Sequence, residues 1–234
     1  MSVQFAPAPH PLSAIAAHAA GSFAKPAGDH TPFRPSGLLP AGPVLEFSPD
    51  EQIFGQGEEA LIFFRVVTGT VRTCKFMNDG RRQIQAFHVA GELIGFEAGD
   101  EYSLTAEAVS DCTLVPYRRN ALDAQLATNE ALSQQLFAHA MRSLKQAREH
   151  AVMLGRRTAA EKVAAFIIEC AGRSSDGRVA NLAMTRQDIA DYLGLTIETV
   201  SRTLSQLERD AVIELPALRQ IRLKNPAALR SLNS

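Results

Sequence analysis

From residue 44 to 117 the chain reads as short apolar and β-branched runs, at Ala60 to Val67, Val71 to Phe76, Gln83 to Phe87 and Thr113 to Pro116. Glycines at Gly55, Gly57, Gly69, Gly80, Gly91, Gly95 and Gly99 separate them, and Asn78-Asp79-Gly80 has the composition of a hairpin connection. An all-β domain is expected there. After Pro116 no glycine occurs until Gly155, and the pattern predicts helix throughout Asn120 to Leu154. Within it Phe137, Ala140, Leu144, Ala147, Ala151 and Leu154 recur at alternating three- and four-residue intervals, the a/d seam of a two-stranded coiled coil. A second stripe, Leu132, Leu136 and Met153, suits a contact with the β domain. A single amphipathic helix lying on that domain would give a related pattern. The small alanines set between large residues permit close approach of a second helix, which favours a homodimer.

Thr158-x-x-Glu161 matches a capping box and predicts a helix from Ala159 to Ala171, followed by a polar loop over Gly172 to Arg178. The segment Thr185 to Leu204 then meets the demands of a helix-turn-helix. Thr185 can cap a first helix, small Ala190 allows a close crossing, Gly194 can take a positive φ, and Thr196 can cap a second helix. Ile189, Leu193, Leu195, Val200, Leu204 and Leu207 are left to build the shared core. Periodicity then fixes the outward face as Glu198, Ser201, Arg202 and Ser205, near the helix start where a recognition helix enters the major groove. A solvated face carrying an i,i+4 ion pair between Glu198 and Arg202 is the plainer alternative, worth a few tenths of a kcal/mol at most. The glycine turn, paired caps and core spacing together favour DNA binding. Ala211 to Leu215 and Gln220 to Leu223 predict two short strands joined near Pro216, a wing.

Bulk properties change this picture little. The 234 residues are 46% hydrophobic and 21% charged, enough for a normal core. The net charge of -1 hides an asymmetry: residues 155–234 hold 12 Lys and Arg against 9 Asp and Glu, while residues 1–154 hold 12 against 16. A modest basic excess is permissive for a phosphate partner. Nine of the twelve prolines fall in the first 49 residues among Ala, Gly and Ser, so residues 1–39 are expected to be a disordered extension. The expected divisions are then residues 40–119 for the β domain, 120–155 for the dimerisation helix and 156–234 for the DNA-binding domain. No apolar stretch approaches a membrane span, and no basic run precedes an apolar segment at the N-terminus, so a cytoplasmic protein is expected. Cys74, Cys112 and Cys170 are odd in number and widely spaced, which argues against a disulfide framework or a cysteine metal site.

With these residues assembled, the chain resembles the CRP/FNR superfamily of bacterial transcription regulators over nearly everything after the N-terminal extension. Gly55-Gln56-Gly57, Gly69 and Gly91-Glu92-Leu93-Ile94-Gly95 are similar to that family's cyclic-nucleotide-type β-roll, and Leu195 to Arg202, with Glu198, Ser201 and Arg202, is similar to the recognition helix of the FNR/FixK branch. The resemblance implies an α+β fold: an N-terminal β-roll, a long dimerisation helix and a C-terminal winged helix-turn-helix. It also implies double-stranded DNA and RNA polymerase as partners, and targets like TTGAT and ATCAA around a spacer. Glu198, Ser201 and Arg202 would read bases, whereas Arg186, Gln187, Thr196 and Thr199, at helix starts, would contact the backbone. Family members that sense cyclic AMP carry an Arg-Ser pair after the Gly-Glu-Leu loop; here the dipeptide is Tyr102-Ser103. The cluster-binding members use several N-terminal cysteines and one in the β-roll, and only Cys112 is at hand. No cofactor is therefore expected, and the resemblance points to a FixK-like regulator of microaerobic, nitrogen-fixation or denitrification genes.

Three alternatives stand beside that reading. His88 is a candidate haem ligand for a ligand-gated regulator, though a lone histidine beside a strand is more often packed. An enzyme finds no support, since Glu92, Glu97, Asp100 and Glu101 lie in one loop with no nucleophile or metal-ligand spacing. Redox control through Cys170 competes with an inert thiol among Phe166, Ile167 and Ile168.

Overall fold

Residues 40–156, 158–174 and 177–232 are described by the computed structural model, and the extension expected over 1–39 lies outside them. Eight strands build the first domain: β1 (Leu45–Phe47), β2 (Gln52–Phe54), β3 (Ile62–Thr68), β4 (Thr70–Phe76), β5 (Arg82–Val89), β6 (Leu93–Ile94), β7 (Thr105–Ala108) and β8 (Cys112–Arg118). They pair antiparallel in two four-stranded sheets, ordered β1-β8-β3-β6 and β2-β7-β4-β5. Ile53, Phe54, Phe64, Val66, Val71 and Leu114 are buried between them. On β3 the successive Phe63 and Phe64 point to opposite faces and both are buried. A strand covered on both sides explains why that run reads as continuously apolar rather than alternating. Strands β1, β2, β6 and β7 span only two to four residues each, too few to show a period, and went unseen in the pattern.

Helix does not run unbroken from Asn120 to Leu154. It divides into α1 (Arg119–Leu126) and α2 (Glu130–Leu154). The cause is local: the Asn129 side chain accepts from the Leu132 amide as a helix cap, and the Ser133 hydroxyl donates to the carbonyls of Leu126 and Asn129. The break folds α1 back so that Leu122, Leu132 and Leu136 cover the outer Phe63, Leu93, Val115 and Tyr117. Met153, grouped with Leu132 and Leu136 in the sequence, instead joins the C-terminal core.

That core is formed by α3 (Ala159–Gly172), β9 (Val179–Asn181), α4 (Arg186–Leu193), α5 (Ile197–Arg209), β10 (Ile213–Ala217), β11 (Gln220–Leu223) and α6 (Pro226–Leu232). The small sheet is ordered β10-β11-β9, one strand more than the predicted pair, because the three residues of β9 follow the polar loop in a stretch too short to show a period. The wing turn lies at Leu218-Arg219, beyond Pro216, which sits within β10 at a register irregularity. A proline is accommodated there because no ladder amide is required of it. The C-terminal core does not stop at the domain edge: Cys74, Ile84 and Phe87 of the β domain are part of it.

Gly69 joins β3 to β4 at φ 82°, and a Cβ built there would stand 2.3 Å from the Asp111 carbonyl oxygen. Gly57 has φ 84° but open space around it. Gly69→Ala is expected to destabilise the fold by about 2–4 kcal/mol and Gly57→Ala by only about 1 kcal/mol. Urea midpoints of the two variants, at unchanged m-value, check the difference.

Candidate DNA-reading helix pair and its setting

The helix pair is held by its own ends. Thr185 caps α4: its hydroxyl accepts from the Asp188 amide at 3.1 Å, and the Asp188 carboxylate accepts from the Thr185 amide at 2.9 Å, a complete capping box. Gly194 closes the helix in the left-handed region at φ 63°, and the Leu195 amide returns to the Ala190 carbonyl at 3.0 Å. Thr196 then caps α5 by accepting from the Thr199 amide at 3.2 Å. Ile189, Leu193, Val200, Leu204 and Leu207 are buried together as expected, with Leu195 partly covered.

Glu198, Ser201, Arg202 and Ser205 are all exposed along one face of α5. Glu198 is held below the usual carboxylate range by the backbone amide and the Thr196 hydroxyl at the helix start, and Arg202 adds to the effect. Of the four expected backbone anchors, Gln187 and Thr196 are exposed and Thr199 is partly so. Gln187 is engaged with Asp191, donating at 2.7 Å. Arg186 is only half exposed; its buried Nη1 has no hydrogen-bond partner among the described residues, and burial draws its pKa below the ordinary value.

On α2 the expected seam residues Phe137, Ala140, Leu144, Ala147 and Ala151 are exposed, Phe137 to 69% and Leu144 to 42%. Leu154 departs from them. It is half-buried, and its Cδ2 approaches the Gly194 turn of the helix pair.

Comparison with known proteins agrees with this layout. Residues 44–129 match the model of a cyclic nucleotide-binding domain, and residues 161–232 that of a Crp-like helix-turn-helix domain. The nitrogen fixation regulation protein FixK of Azorhizobium caulinodans is 44% identical over 207 residues, covering 86% of this chain and 84% of that protein. FixK of Rhizobium meliloti is 41% identical, covering 81% and 86%. The solved structure of FixK2 from Bradyrhizobium japonicum superposes with a TM-score of 0.77 at 40% identity, covering 82% of this chain and 97% of that one. The chain belongs to the CRP/FNR family and is FixK-like. It is a DNA-binding transcription regulator, and CRP/FNR regulators are dimers.

Within this CRP/FNR β-roll Tyr102 belongs to the packed core. Tyr102, where the cyclic-AMP sensors carry arginine, is buried and stacks on Phe54 with ring centroids 3.9 Å apart. Its hydroxyl donates to the Ile62 carbonyl, and a Cβ on Gly95 would lie 3.0 Å from its ring. A phenol at this position carries no positive charge with which to hold a phosphate. His88 is partly buried: Nε2 lies 3.0 Å from the Thr73 hydroxyl and Nδ1 3.6 Å from Glu92. Although burial opposes the charge of Glu92, the His88 hydrogen bond and Arg173 hold its pKa down to about 2. Both ring nitrogens thus have polar neighbours, which favours the packed histidine over a haem ligand. Burial pushes the Cys170 thiol up to about 12, Cys74 to about 11, and Cys112 upward as well, so the reactive thiolate is disfavoured at all three.

The sequence pattern did not disclose the contact between the helix pair and the β-roll. Tyr192 on α4 packs against Phe87 of β5 at a centroid distance of 5.3 Å and stacks on His150 of α2 at 4.0 Å. His150 Nε2 also lies 2.9 Å from the Tyr192 carbonyl oxygen. Aromatic residues at 87, 150 and 192 are far apart in sequence, and no periodicity links them.

The packed β-roll generates an expectation about cyclic AMP. A ligand at a hundred times its Kd would add about 2.7 kcal/mol to stability. Millimolar cyclic AMP is expected to leave both the melting temperature and operator affinity unchanged. A rise of several degrees in differential scanning fluorimetry would contradict the assignment of Tyr102.

Proposed function

We propose that two copies pair along the outer face of α2 and read a palindrome of the TTGAT and ATCAA type, one α5 per half-site. The observation that carries this is the outward face of α5: Glu198, Ser201 and Arg202 stand exposed near a capped helix start, with the wing beside them. An arginine there can donate two parallel hydrogen bonds to guanine O6 and N7, and a glutamate one turn earlier can accept from the amino group of the paired cytosine. Ser201 lies between them and suits a neighbouring thymine. Arg186, Gln187, Thr196 and Thr199 lie at the starts of α4 and α5, where amides and the helix dipole favour phosphate.

Pairing along α2 supplies a cover for Phe137, Met141 and Leu144, which would otherwise expose large apolar surface on a 25-residue helix. As a regulator similar to nitrogen fixation proteins, it would act in the cytoplasm, recruiting RNA polymerase to microaerobic, nitrogen-fixation or denitrification promoters. The packed β-roll supports control by supply of the protein rather than by a bound cyclic nucleotide. Redox control through Cys170 is disfavoured by its raised pKa.

Two variants separate base reading from anchoring. Arg202→Ala is expected to lower affinity for the palindrome by about 1–3 kcal/mol per half-site and to flatten the preference for its guanine. Arg186→Ala is expected to weaken all sequences alike and reduce the salt slope by about one unit. Titrations against the palindrome, a guanine-to-adenine palindrome and random DNA at several salt concentrations check both. For the dimer, Phe137→Glu combined with Leu144→Glu is expected to sediment as a monomer with unchanged circular dichroism and to lose preference for the two-half-site operator. A dimer persisting in that variant would place the pairing surface elsewhere.

A further inference from the structure

The helix pair is held against the β-roll by a set of desolvated ion pairs as well as by apolar packing. Arg82 of β5 donates through Nε to Asp191 at 2.8 Å and through Nη2 to Asp188 at 2.7 Å. Arg72 of β4 reaches Asp188 at 3.2 Å while its Nε is held by Glu107 of β7 at 2.8 Å. Beside them, Gln83 donates to the Asp191 and Tyr192 carbonyls at 2.8 and 3.3 Å. The side chains are largely out of water: Arg72 is 7% exposed, Arg82 17%, Asp188 2% and Asp191 13%. Planar guanidiniums in a fork geometry define direction as well as distance.

These contacts are made by the inner side of α4, whereas the reading face belongs to α5. None of the carboxylates involved is a base-reading candidate, and Glu198, Ser201 and Arg202 remain exposed while the ion pairs are formed. A contact that would block reading should cover α5, and this one leaves it open.

We propose that Arg82 and Gln83 are positioning residues for DNA recognition: by fixing α4 to the β-roll they set the angle at which each α5 is presented, and so the spacer length between half-sites that the dimer accepts. This rests on the palindrome reading above. Half-sites are read in register only when two recognition helices lie about one helical turn, roughly 34 Å, apart. A head free to swing can still bind one half-site, but it meets the second with a lower effective concentration. Losing the contact therefore weakens the palindrome and not the half-site. The charge is specific to this role, since a merely apolar contact would leave direction loosely defined.

The test is a titration of wild type, Arg82→Ala and Gln83→Ala against palindromes whose spacers are lengthened or shortened by one and two base pairs, and against an isolated half-site. Gln83→Ala leaves no buried charge unpaired, so it serves if Arg82→Ala folds poorly. Wild type is expected to prefer one spacer sharply. Arg82→Ala should bind that spacer about tenfold more weakly and Gln83→Ala about threefold, both with a flattened spacer preference and half-site affinity within about twofold of wild type. Variants that keep the wild-type spacer preference, bind the best spacer more tightly, or lose half-site and palindrome binding in equal proportion overturn the inference alone. Wild-type protein that binds the half-site as tightly as every palindrome overturns the palindrome reading and the inference with it.

Discussion

Asp188 carries two duties that most helix caps do not combine. One carboxylate oxygen closes the capping box of α4 with the Thr185 amide, and the other accepts from Arg72 and Arg82. A carboxylate that is 2% exposed needs this many partners, because an uncompensated buried charge would cost several kcal/mol. A substitution at Asp188 would remove both duties at once. Burial opposes the charge of Arg72, but Glu107, Asp188 and Asp50 more than offset it, and its pKa lies above the ordinary value. The start of α4 is thus tied to β4 inside the second sheet and to β5 at its edge.

How much of this was legible depends on the range over which each interaction acts. The Thr185 and Thr196 caps, the Gly194 turn and the core spacing of α4 and α5 are set within a few residues, and all emerged from the sequence as they stand in the fold. The capping partner Asp188 was missed although it sits three residues after Thr185, because an aspartate in place of the usual glutamate weakens the signature. The ion pairs from Arg72 and Arg82 span more than a hundred residues and carry no periodic trace. The break at Asn129 was hidden for another reason: Ala127 and Thr128 do not stop a helix by propensity, and the cap is decided by which residues the β domain needs covered.

Tyr102 shows a similar split between what residue type reveals and what geometry adds. Its identity alone removes a guanidinium. Only the fold shows that the ring lies flat on Phe54 with its hydroxyl satisfied by the Ile62 carbonyl, so that the β-roll interior has become ordinary core. Opening that space to a polar ligand would break an aromatic stack and the hydrogen bond from Tyr102 to the Ile62 carbonyl. The β-roll meets the helix pair directly through β4 and β5.

Two supports converge on the helix pair from different elements. His150 and Leu154, near the end of α2, meet Tyr192 and the Gly194 turn, while Arg82 and Gln83 meet Asp191 and the carbonyls beside it. A single contact would leave α4 free to pivot, whereas contacts on two sides of Tyr192 remove that freedom. The connection from α2 to α3 is only a few residues long, so the head cannot drift far even if one support is lost, but it can rotate. Rotation is the motion to which a palindrome is sensitive, because a small angular change at α4 becomes a displacement of the exposed face of α5. The orientation of the helix pair therefore draws on an apolar cluster that crosses the seam, and the charged and aromatic groups beside it add the direction that apolar packing leaves loose.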